Sequence, residues 1–134
     1  YQAQIVENSR RLADVLQDDG WNLVGGGTDN HLVLVDLRDE PITGKDAEEA
    51  LEEVGITVNK NTVPGETESP PVTSGVRIGT PALTTRGMGA EEIGRVGALI
   101  SRVLSNPADD GVKEEVADEV DALCEQFPLY PDLP

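Results

Sequence analysis

The chain has 134 residues, the length of one domain with a core of its own, and its 26 Asp and Glu against 10 Lys and Arg give a formal net charge of −16. Such a charge repels phosphate surfaces, which excludes nucleic acid and anionic lipid as partners, and no apolar run approaches the roughly 20 residues needed to cross a bilayer. The single cysteine, Cys124, excludes an internal disulfide, fits a reducing cytoplasm and is expected to be a small buried apolar residue.

From residue 1 to about Asp19 the apolar positions Ile5, Leu12 and Leu16, with Val6, Ala13 and Val15 beside them, recur at helical spacing, and Gly20 stands where a helix ends. The opening Tyr1-Gln2-Ala3-Gln4 falls inside that helical pattern, so the chain reads as a piece of a longer protein. Trp21 to Val24 predicts a short strand, and His31 to Leu37 a second one covered on both faces. Thr43 and Asp46 form a capping-box pattern ahead of Ala47, Ala50, Leu51 and Val54, a helix that Gly55 closes. Ile56-Thr57-Val58 predicts another short strand, and the turn-rich stretch 59–71 the longest loop. Val76-Arg77-Ile78 predicts a strand between glycines. Two helices follow, marked by Ile93, Val96, Ile100 and Val103 and by Val112, Val116, Val120 and Leu123, before the extended tail that begins at Phe127. The order αββαββαα predicts an α+β sandwich, a small and mostly antiparallel sheet with helices on one face.

Few residues invite chemistry. Gly25-Gly26-Gly27 leads from one strand to another, not into a helix N-terminus, and no Gly-Lys-Ser/Thr follows, so a structural turn is expected instead of a phosphate cradle. His31 is the one histidine, which argues against a metal site. A lysine that bonds covalently to a carbonyl cofactor needs desolvation or neighbouring cations to be a free amine. Lys45 and Lys113 are expected on solvated faces, and nothing near Lys60 in sequence supplies that activation. Arg77 is the strongest signal. An arginine in an apolar strand is expensive to bury without an anion, its planar fork matches a carboxylate, and Gly75 and Gly79 on either side permit a close approach. The pattern alone leaves two partners open, a carboxylate ligand or one of the chain's own acids.

Five separated blocks then resemble one known family. These are residues 26–32, residues 34–37, Thr43-Gly44-Lys45, Thr57-Val58-Asn59-Lys60-Asn61-Thr62 and the run 74–87 that opens Ser74-Gly75-Val76-Arg77, and the opening Tyr1-Gln2-Ala3-Gln4 and closing residues 127–131 match as well. Together they resemble the C-terminal domain of serine hydroxymethyltransferases, over nearly the whole chain and in the family's order. The resemblance implies a homodimeric, fold-type-I pyridoxal-phosphate enzyme that interconverts serine and glycine, with tetrahydrofolate or a modified tetrahydropterin carrying the one-carbon unit. It implies that Arg77 grips the substrate carboxylate and that Asn61 lies near the pterin. It also implies that the lysine bound to pyridoxal phosphate, and the other groups that hold this cofactor, lie in a large domain outside this chain. No catalytic residue and no metal ligand is then expected in residues 1–134, and the piece alone is expected to be inactive. Ser69-Pro70-Pro71 departs from the family's usual Ser-Pro-Phe, and Pro71 brings a fixed φ and no N–H donor where the family has Phe. The acidic composition predicts adaptation to a salt-rich cytoplasm, as in a halophilic archaeon. A different class, a free-standing α+β module that binds a small carboxylate or a protein, is the alternative.

Overall fold

The computed structural model describes residues 2–24, 32–69, 72–79 and 88–127. Helix α1 spans Gln2–Asp18, followed by strands β1 (Asn22–Leu23) and β2 (Leu32–Asp36) and helix α2 (Gly44–Glu53). Strands β3 (Asn59–Asn61) and β4 (Gly75–Gly79) come next, then helices α3 (Ala90–Ser105) and α4 (Asp110–Gln126). The strands form one sheet in the order β1-β2-β4-β3, antiparallel at every junction. The architecture is the expected α+β arrangement.

Strand alternation decides which face is covered. Val33 and Val35 of β2 and Val76 and Ile78 of β4 are all 2% exposed or less, and they point toward the helices. Helix α1 packs on α3 and on β1 and β2, while α2 packs on β3 and β4. Leu12 and Leu16 of α1, Ile93, Ile100 and Val103 of α3 and Val116 of α4 complete the core. Burying each such side chain stabilises the fold by about 1.5–3 kcal/mol. Trp21 donates its indole N–H to Ser101 Oγ at 2.9 Å, which fixes the turn after α1 against α3.

The capping box is present as read. The Asp46 N–H donates to Thr43 Oγ1 at 3.2 Å, and the Thr43 N–H donates to the Asp46 carboxylate at 3.3 Å. The other end of α2 closes through Gly55, whose φ of +87° suits glycine, and through the Ile56 N–H, which donates to Leu51 O at 2.9 Å.

That cap moves the third strand. The expectation was Ile56–Val58, whereas pairing begins at Asn59. Ile56 is consumed by the helix cap and Val58 is buried at 5% exposure, so the apolar residues pack and the polar Asn59-Lys60-Asn61 pairs with β4. The first three residues of the expected loop 59–71 are therefore strand. Two smaller expectations also change. Cys124 is only partly buried, packed against the edge of the core. The Lys113 side chain is 16% exposed and donates to Glu53 at 2.6 Å, so it is held down instead of solvated. The turn expected at Gly25–Gly27, His31, Pro70-Pro71, the 80–87 part of the arginine block and the extended tail expected after Phe127 lie outside the described residues.

Candidate functional site

The sheet face opposite the helices carries the polar residues. Register places Leu34, Arg77 and Asn59 side by side across β2, β4 and β3. The next row of the same face runs Asn22, Asp36, Gly75 and Asn61. Arg77 and Asn61 are therefore diagonal neighbours on one face, a spacing of roughly 7–8 Å between backbones. Sequence distance gave no hint of this; the antiparallel register does it.

Arg77 is exposed. The premise that burial forces it to meet an anion is corrected, because its neighbours Val76 and Ile78 turn inward and the guanidinium turns out. Among the described residues no carboxylate pairs with it. The acid nearest in the sheet pattern, Asp36 on the adjacent row, is taken by Arg38. Arg38 Nη2 lies 2.7 Å from Asp36 Oδ2, and Arg38 Nε lies 3.0 Å from both carboxylate oxygens. These side-chain hydrogen bonds, aided by the Arg38 backbone N–H and its charge, hold the Asp36 carboxyl below its ordinary range against a smaller effect of burial. Asp36 is thereby paired with Arg38 and not with Arg77.

Glycine at 75 shapes the floor. A Cβ there would meet Val63 Cγ1 at 2.6 Å, Asn61 O at 2.7 Å and Leu34 Cδ1 at 3.2 Å. The loop after β3 thus crosses directly over Gly75 and leaves Arg77 open beside it. Asn61 is half-buried, and its Nδ2 donates to Thr62 O at 2.8 Å.

The segment that launches β4 is tightly held. Thr73 O accepts from the Gly44 N–H and Val72 O from the Lys45 N–H, both at 3.0 Å, and Ser74 O accepts from the Leu37 N–H at 2.7 Å. Thr73 itself sits at φ +56°, unusual for a β-branched residue, with its hydroxyl buried and unpartnered. Sequence reasoning missed Thr73 and also missed Glu66, whose carboxylate accepts from three backbone N–H groups, those of Thr67, Glu68 and Ser74. The Ser74 hydroxyl bond contributes most, followed among the favourable contacts by those N–H groups, and together they pull the Glu66 carboxyl down to about 2.

A family model for serine hydroxymethyltransferase matches residues 1–100, from α1 through β4 and into α3. The chain belongs to the serine hydroxymethyltransferase family. The membership makes it part of a group of pyridoxal-phosphate-dependent transferases of one-carbon metabolism that use a folate co-substrate. No helix among the described residues is long and apolar enough to cross a membrane.

The described residues of this chain do not fit pyridoxal phosphate. The cofactor needs a lysine amine and a cradle for its phosphate. Lys45 is exposed, Lys60 faces Glu48 at 3.8 Å and Lys113 is bound to Glu53. The first N–H groups of α2 are taken by Thr73 O, Val72 O and Thr43 Oγ1, so that helix end offers the phosphate nothing.

Proposed function

We propose that this chain is the C-terminal domain of a serine hydroxymethyltransferase, and that its open sheet face receives the substrate amino acid. Arg77 grips the carboxylate of serine or glycine, and Asn61 lies on the same face near the tetrahydrofolate or modified tetrahydropterin. The observation that supports this most is an exposed guanidinium with no acid partner among the described residues, set beside a residue of the expected pterin block. A carboxylate offers that guanidinium two parallel charge-assisted hydrogen bonds, which fix the orientation of the amino acid as well as its position.

Pyridoxal phosphate is then held by a large domain outside residues 1–134, in a cytoplasmic homodimer that interconverts serine and glycine. The misfit of all three lysines supports that division of labour. The charge of −16 supports a salt-rich cytoplasm, as in a halophilic archaeon.

In the full-length enzyme, Arg77→Lys replaces the planar fork with a point charge. Losing a charge-assisted contact costs about 1.5–3 kcal/mol, which corresponds to a rise of about tenfold to a hundredfold in KM for serine. Steady-state kinetics with serine varied at saturating pterin reads this directly. An unchanged KM removes Arg77 from the site.

A further inference from the structure

We propose that Glu66 is a positioning residue for this face: its carboxylate fastens loop 62–69 to the start of β4 and so sets Asn61 and Arg77 in one spatial register. The inference rests on the reading of the open face given above and adds to it a residue that contacts neither ligand.

The geometry is that of a clasp. One carboxylate oxygen, Oε2, accepts from the loop's own Thr67 and Glu68 N–H groups at 3.0 and 3.1 Å. The other, Oε1, accepts from the Ser74 N–H at 2.8 Å, across eight residues of chain. Ser74 is 3% exposed and immediately precedes the strand that carries Arg77. At the other end of the loop, Asn61 pairs with Gly75, and Val63 lies over Gly75 where a side chain would otherwise stand. The loop is thus closed at both ends on the same two residues of chain, Ser74 and Gly75, with Asn61 at one end and the carboxylate at the other.

Thr73 shows that the junction is firmly held. A β-branched residue at positive φ with a buried, unpartnered hydroxyl persists only where its surroundings leave no alternative. Those surroundings are the Glu66–Ser74 contact on one side and the Gly44 and Leu37 N–H groups on the other. Arg38 touches the same loop only at its rim, where Nη1 lies 3.4 Å from Gly65 O. The bond from the Ser74 N–H to Glu66 Oε1, at 2.8 Å, is shorter than that rim contact.

The test compares full-length enzyme carrying Glu66→Gln, which keeps the shape and one acceptor, with Glu66→Ala. Hydrogen exchange read by mass on peptides spanning 62–75 should accelerate at least about tenfold in both variants, while the α3 peptide stays protected. KM for serine and for the pterin should each rise roughly tenfold, with kcat within about twofold, because misplacement weakens binding without touching a reacting group. Faster exchange at 62–75 with both KM values unmoved overturns the proposal and leaves Glu66 a purely structural residue. Unchanged exchange overturns it at the level of geometry. Arg77→Lys is the separate control. A serine KM unmoved by Arg77→Lys overturns the reading of the face, whereas a KM raised by Arg77→Lys but unmoved by both Glu66 variants overturns only the positioning role.

Discussion

The Glu48 carboxylate accepts the backbone N–H of Lys60 at 2.8 Å and faces the ammonium of the same residue at 3.8 Å. β3 is an edge strand, and this contact occupies the outward N–H that its middle residue would otherwise leave open. Helix α2 therefore seals the sheet edge next to the candidate site with a side chain. It also gives Lys60 a charge partner, the opposite of what an amine poised for covalent chemistry requires.

Replacing Glu48 by Ala leaves that N–H to water and the ammonium without its acid. The pair is about one-third exposed, so the expected cost is modest, about 1 kcal/mol. Urea unfolding followed by circular dichroism should show a lower midpoint with an unchanged slope. A midpoint equal to that of the parent chain would mean that water serves the edge as well as Glu48 does.

Most of the architecture was legible because it rests on local rules. The capping box at Thr43 and Asp46, the glycine after each of the first two helices and the alternation around Val33, Val35, Val76 and Ile78 specify element type and inner face without help from the rest of the chain. The position of β3 was not legible. Its residues are polar and gain their strand from the free edge of β4 and from Glu48, so propensity pointed three residues too early, at Ile56. Arg77 was found as the site candidate by its residue type between two glycines, but its exposure follows from strand parity and contradicts the burial argument that drew attention to it. Glu48 and Glu66 left no mark at all. In a chain with 26 acids, a carboxylate that binds backbone N–H groups 8 or 12 residues away looks like any solvated one.

Glu66 also gives the chain a specific acid sensitivity. Its carboxyl falls from the ordinary 4.5 to about 2, chiefly through the Ser74 hydroxyl bond. A carboxyl lowered on folding contributes stability that is fully present above about 4.5 and is lost as the pH falls toward about 2. Protonation of the other acids acts on both versions of the chain, so the difference between parent and Glu66→Gln isolates this group. The parent should be the more stable at pH 7, and the gap should close between pH 4.5 and pH 2. Chemical denaturation at a series of pH values checks this, and a gap that stays constant down to pH 2 would show that the charge on Glu66 does not matter.

Net charge sets the last expectation. A folded chain of this length has a radius of gyration of about 14 Å, so most of its charges lie within about 30 Å of one another, the Debye length at about 0.01 M salt. At that ionic strength a surplus of 16 negative charges repels itself across the whole molecule and favours the expanded, unfolded chain. At about 1 M salt the screening length is about 3 Å and only contacting pairs still feel each other. The ion pairs the fold does make, such as Arg102 with Glu115 at 2.6 Å and Lys113 with Glu53 at 2.6 Å, are at contact distance, so salt removes far more repulsion than attraction. Between 0.1 and 3 M KCl the Tm should rise by about 5–10 °C, the shift that about 2 kcal/mol of relieved repulsion produces in a domain of this size. Differential scanning calorimetry across that range decides it. A Tm that is flat or falls would mean that the acidic surface is tolerated at low salt and is not an adaptation to a salt-rich interior.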